Sequence, residues 1–112
     1  MVNKMKLFLL TQNINNEYDT FDSCVVAAED AETARNIHPS TSRGEYNPWP
    51  KIPEGVELKF NPPVYSWSRP TLLGKRVYTT WAYKPEEVMV KYIGEAATDI
   101  ESGVICASYN AG

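Results

Sequence analysis

Cationic and aromatic side chains alternate through the middle of the chain, where they could bind an anionic or flat ligand. Seven residues make up this set: Arg43, Trp49, Lys51, Trp67, Arg69, Lys75 and Arg76. Arginine and lysine bind phosphate or carboxylate groups, and tryptophan offers a large surface for stacking. The same residue types are enriched at protein interfaces, so a protein partner and self-association also suit the set. The structural alternative is that the tryptophans anchor this segment and the cations offset nearby acidic charge.

The chain lacks the sequence patterns that usually accompany catalysis or metal binding. It has no Gly-x-Ser-x-Gly motif, no phosphate-binding loop and no dinucleotide fingerprint. A single histidine and two distant cysteines do not form a zinc pattern, and Asp19 and Asp22 lack the spacing of a calcium loop. We therefore expect no catalytic residue, no metal and no cofactor. The alternative, an enzyme acting on a phosphorylated or nucleotide substrate, would need carboxylates that converge with Arg69, Lys75 or Arg76.

The histidine and the cysteines each have a plain structural interpretation. His38 precedes Pro39, and an imidazolium there would interact favourably with a helix C-terminus. Cys24 and Cys106 lie in apolar runs, which predicts buried, reduced thiols. A disulfide, or a cysteine nucleophile paired with His38, remains an alternative. Asp19 and Asp22, beside an asparagine-rich turn, are expected in a solvated loop.

Charge divides the chain of 112 residues into three parts. Residues 39–76 carry six basic and three acidic residues and seven of the eight prolines, whereas the segments on either side each have a net charge of −3. The whole chain has a net charge of −3, which argues against strong nonspecific binding to nucleic acid. Its length and 43% hydrophobic content suit a single domain, residues 1–112, in which 39–76 form a long irregular insertion rich in proline and aromatic residues.

The elements that must position these residues begin with two strands and a helix. Lys6–Thr11 has the pattern of a buried strand, and residues 24–29 form a second strand candidate. Asp30 is a good helix N-cap, and Ala31, Ala34 and Ile37 form one apolar stripe. Pro39 ends this helix, because the residue before a proline disfavours helical dihedral angles.

The remaining candidates are mostly strands. They are residues 56–60, 77–83, 88–93 and 104–109, with a turn at residues 85–87 and a helical turn at 98–102. Runs of strands interrupted by one helix are typical of an α+β fold. We predict a small, mostly antiparallel sheet with one short helix packed on it and the proline-rich insertion beside it.

Both ends of the chain resemble short uncharacterised proteins of tailed bacteriophages and prophages. The runs that carry the resemblance are KLFLLTQ (6–12), YDTFDS (18–23) followed by VVAA (25–28), ARNIHP (34–39), YIGEA (92–96) and GVICASYNAG (103–112). The resemblance is weakest over residues 40–76. It implies a phage accessory protein in the bacterial cytoplasm that acts by binding, as host-takeover and defence-evasion factors do, and it brings no catalytic residue with it.

The sequence alone also favours a cytoplasmic protein without a membrane span. The longest apolar run near the start, residues 7–10, is too short for a signal peptide or a membrane helix. We therefore expect a non-catalytic binding protein whose basic aromatic segment contacts a host protein or an anionic small ligand such as a nucleotide. The third alternative is a virion or scaffold component whose exposed strands assemble into a homo-oligomer.

Overall fold

A four-stranded antiparallel sheet dominates the structure. The computed structural model describes residues 4–15, 19–43, 48–57, 71–72, 75–76 and 79–110. In chain order, the elements are β1 (Lys6–Thr11), β2 (Thr20–Ala28), α1 (Ala31–Arg35), a first 3-10 helix (Pro39–Arg43), β3 (Thr71–Leu72), β4 (Lys75–Arg76), a second 3-10 helix (Pro85–Glu87), β5 (Met89–Glu95) and β6 (Gly103–Asn110). The strand order in the main sheet is β5-β1-β2-β6, and β3 and β4 form a separate antiparallel pair. The predicted α+β class is confirmed.

The main sheet buries one of its two faces. Phe8 and Leu10 on β1 and Cys24 and Val26 on β2 are buried, together with Trp81 from the segment before β5. Residues opposite each other in neighbouring antiparallel strands project to the same face, and Leu10 is opposite Cys24. These side chains therefore form one continuous core layer, with Trp81 among its largest members.

Helix α1 covers part of this core layer. The Asp30 carboxylate accepts a hydrogen bond from the Thr33 N–H at 2.7 Å, as expected for an N-cap. Ala34 is the fully buried residue of the helix and belongs to the core cluster. The helix ends at Arg35, earlier than the sequence predicts, and Pro39 begins the first 3-10 helix. Among the residues described, no helix has the length and apolarity needed to cross a bilayer.

Three of the predicted elements are wrong in their described parts. Residues 56–57 are not in a strand, although the sequence predicts one over 56–60, of which residues 58–60 lie outside the described residues. Residues 79–83 are not a strand, although the sequence predicts one over 77–83, of which residues 77–78 lie outside the described residues. The Thr80 carbonyl accepts from the Phe21 N–H, so this segment is held by isolated contacts rather than by a ladder. The helical turn predicted at 98–102 is instead a tight turn, which is closed by a hydrogen bond from the Ile100 N–H to the Ala97 carbonyl.

A buried polar network fixes the end of β1 to the segment before β5. The Gln12 side chain bonds the backbone of Asn15, and the Asn15 amide donates to the carbonyls of Thr79 and Trp81, each at 3.0 Å. Asn15 is 2% exposed, so this part of the asparagine-rich connection is buried rather than solvated. Asp19 and Asp22, by contrast, are exposed as expected. The network holds Trp81 in the core without any strand pairing.

Candidate binding surfaces

The structure describes the predicted basic aromatic set only in part. The side chains of Trp49 and Lys51 are described, and Lys51 is exposed. Arg43 ends the first 3-10 helix, and Lys75 and Arg76 form β4, but only their backbones are described. Trp67 and Arg69 lie outside the described residues. The convergence of the seven residues into one site therefore stays a prediction.

Trp49 makes structural contacts. Its Nε1–H donates to the Asn36 carbonyl at 3.1 Å, and its ring meets the His38 ring edge-on with centroids 4.8 Å apart. It also packs against the core cluster while remaining half-buried. These contacts anchor the start of residues 48–57 to the region after α1, which is the structural role that the sequence leaves open for this tryptophan.

A solvent-open pocket of about 330 Å³ lies next to Trp49. The segment from Trp49 to Val56 forms one side, and Tyr83, Lys84, Pro85 and Glu86 form the other. This volume is at the lower end of small-ligand sites. Lys84 could attract an anion, but Glu54 and Glu86 also line the pocket and would repel one. The mixed charge makes the pocket a weak match to a phosphorylated ligand.

His38 is a core residue. It is 1% exposed, its Nδ1 accepts from the Ser40 N–H at 3.1 Å, and its Nε2 lies 3.5 Å from Thr79 Oγ1. Burial lowers the pKa of His38 to about 4, so the ring is neutral at pH 7. The prediction of a structural role for His38 is therefore confirmed, but the prediction that a charged His38 interacts with a helix C-terminus is wrong.

The two cysteines occupy opposite faces of the sheet. Cys24 is buried, and burial raises its pKa to about 12, which argues against a nucleophilic role because the thiol stays protonated at neutral pH. Cys106 is exposed, so the prediction that it is buried is wrong. The reason is its position on edge strand β6, opposite Val25 rather than on the core layer with Cys24. Neither cysteine is in a disulfide.

The face of the sheet opposite the core is apolar and lacks a cover among the described elements. On β1, Leu7 and Leu9 alternate with the buried core residues but are only half-buried, although they lie on a central strand. Leu9 is opposite Val25 and Lys91, and Thr11 is opposite Met89, which places these residues on the same side. We call this surface the open face. Its large apolar residues are Leu7, Leu9, Val25 and Met89, and the exposed bulge residues Ile93 and Ile105 lie beside it on the edge strands.

The exposed apolar residues concentrate on the two edge strands. Met89, Ile93 and Ile105 are each 46 to 50% exposed. Ile93 lies two residues beyond Lys91, and Ile105 is the extra residue at a β-bulge next to Cys106. Tyr92 is also exposed, but it lies on the other side of the sheet, edge-on to Phe8. The single-sequence pattern could not identify this surface, because it does not show which strands form the edges.

The described residues contain no arrangement that suggests catalysis with a metal. No three His, Cys, Asp or Glu side chains in the described part of the chain lie close enough together to hold a metal ion. No protein-family model, curated protein or solved structure matches the chain. The fold thus defines a small α+β domain, and the resemblance to phage proteins stays a prediction.

Proposed function

We propose that this chain is a non-catalytic binding protein that contacts another protein through the open face. The observation that carries the proposal is the exposure of large apolar side chains on a sheet face whose central residues, Leu9 and Val25, are also apolar. Contiguous exposed apolar patches on folded domains usually mark interaction sites. The phage accessory class and the bacterial cytoplasm, both implied by the sequence resemblance, are part of this proposal.

The chemistry of the open face suits a protein surface better than a small ligand. The face is one side of a four-stranded sheet, whereas small-molecule sites are normally clefts that enclose most of the ligand. Its charged side chains lie at the margin, with Lys91 on edge strand β5 and Asp22 at the bulge in β2. An apolar centre with a polar rim is the usual anatomy of a protein interface.

Site-specific photocrosslinking tests this proposal. The photoreactive amino acid benzoylphenylalanine is placed at Ile93 or at Ile105, and at Ile14 as the matched control. Ile14 is 40% exposed but lies after β1, outside the sheet. Irradiation of bacterial cells that express each variant should give protein adducts at positions 93 and 105 and none at position 14. Equal adducts at all three positions, or none at 93 and 105, would contradict the proposal.

A second candidate is binding of an anionic planar ligand, such as a nucleotide, by the basic aromatic segment. One observation favours it, the pocket of about 330 Å³ beside Trp49, with Lys51 exposed nearby in the chain. We rank it second because Glu54 and Glu86 also line that pocket and because Trp49 is engaged with Asn36 and His38.

A further inference from the structure

The two central strands are apolar on both of their faces. On β1, Leu7 and Leu9 lie on the open face while Phe8 lies in the core, and on β2, Val25 lies on the open face beside the buried Cys24. Strands with one face in water usually alternate apolar and polar residues, whereas strands covered on both faces do not. The open face therefore has the composition of a sheet face that packs against another surface. A second copy of the chain could cover this face, and it is present wherever the chain is made.

The charges on the open face permit a second copy. Among the residues that the strand register places on the face, Lys91 on edge strand β5 is the charged one, and Asp22 is an exposed bulge residue near the end of β2. Like charges brought together at an interface oppose association, but two copies that meet at the uncharged centre of the face, Leu9 and Val25, bring no like charges together there. Strand β6, which forms one margin of the face, has no charged residue along Gly103–Asn110.

The size of the open face is sufficient for a dimer. Strands about 4.8 Å apart and residues about 3.4 Å long give four strands of six residues an area of roughly 20 by 20 Å. Two such faces, packed about 10 Å apart as in a sandwich of sheets, bury on the order of 1,000 Å² in total. That is near the lower limit for a specific protein interface, which is the size expected of a weak, reversible dimer.

We infer that the open face packs against the open face of a second copy, forming a two-fold symmetric dimer with a two-sheet core. This inference rests on the proposed function, because it names the partner of the same surface. The contact is isologous, so both copies use the same surface and each residue of the face is buried once in each copy. Leu9 and Val25 lie at its centre, and Ile93 and Ile105 lie nearer its margins.

Sedimentation equilibrium of the purified chain tests the dimer. The wild type should have twice the chain mass of 12.6 kDa at tens of micromolar. Ile93→Lys places a charge beside the face and should weaken dimerisation by about tenfold or more. Ile14→Lys, the matched control, should dimerise like the wild type. Val25→Thr, a substitution of similar shape that adds a hydroxyl at the centre, should also weaken the dimer, and circular dichroism checks that each variant is folded.

The outcomes separate this inference from the proposed function. A monomeric wild type whose crosslinks at position 93 reach other proteins would overturn the dimer and leave the proposed function standing. Crosslinked adducts of twice the chain mass support both. A dimer that persists unchanged in both Ile93→Lys and Val25→Thr would show that the copies associate elsewhere, which overturns the inference. A monomer that gives no adduct at position 93 or 105 overturns both proposals.

Discussion

Burial determines the protonation state of His38. A histidine before a proline at a helix end could be exposed and charged, but this ring is in the core, where Ser40 donates to its Nδ1 and Trp49 contacts its edge. Because Nδ1 accepts a hydrogen bond, the proton of the neutral ring is on Nε2. Protonation of Nδ1 would break the bond to Ser40 and leave a charge in the core.

The lowered pKa of His38 makes stability depend on pH. In the unfolded chain the pKa is near 6.5, and in the folded chain it is about 4, so the unfolded state binds the proton first as the pH falls. The stabilisation is complete above pH 6.5 and is lost as the pH falls toward 4. We expect urea unfolding to show a loss of about 2 kcal/mol between pH 7 and pH 5.

His38→Gln is the control for this pH dependence. His38 is the single histidine of the chain, so the variant has no imidazole to protonate in this range. Its free energy of unfolding at pH 7 should be lower than that of the wild type, but it should change much less between pH 7 and pH 5. Equal pH dependence in both proteins would show that His38 titrates normally.

At the scale of elements, one side chain joins two segments that are distant in sequence. The Asn15 amide donates to the carbonyls of Thr79 and Trp81, and the bond to Trp81 is buried while the bond to Thr79 is partly buried. Asn15→Ala leaves both carbonyls without this donor, and we expect a loss of about 2 kcal/mol in the free energy of unfolding. Thr98→Ala, at an exposed position in the turn between β5 and β6, should cost less than about 0.5 kcal/mol. Urea titration of both variants measures the difference, and equal losses would contradict a bridging role for Asn15.

The sequence predicts elements well where local chemistry determines them. The apolar run of Lys6–Thr11 is a strand, Asp30 caps α1, and residues 104–109 lie within β6. It fails at residues 79–83, because aromatic and β-branched residues suit both a strand and an extended segment packed into a core. Trp81 is buried there through tertiary contacts that no local pattern specifies.

The sequence predicts the candidate site less well than it predicts the fold. A period of two residues shows which side chains share a face, but it does not show which face is covered or which strands are at the edge. Cys106 is therefore misassigned, since its apolar neighbours are those of a buried strand although β6 is an edge. The apolar character of β1 on both faces was visible, and it is the signal that could have indicated the open face.

At the scale of the whole molecule, salt distinguishes the two candidate surfaces. Contact through the open face is mainly apolar, so the dimer dissociation constant should change by less than about threefold between 50 and 500 mM NaCl. An anionic partner bound by the basic aromatic segment would instead dissociate as the salt concentration rises, because counterions screen exposed charges. Sedimentation at both salt concentrations measures this. Dissociation of the dimer at high salt would show that charged residues, rather than the open face, hold the copies together.

The strand order has a consequence during synthesis on the ribosome. β1 and β2 are made early and pair with each other through a short connection. Each strand keeps one edge unpaired until its second partner, β5 for β1 and β6 for β2, is made roughly eighty residues later. Until then, a hairpin of two strongly apolar strands has both of its outer edges unpaired, a state prone to aggregate. We therefore expect the half-synthesised chain, rather than the finished domain, to be the form that needs most protection from aggregation.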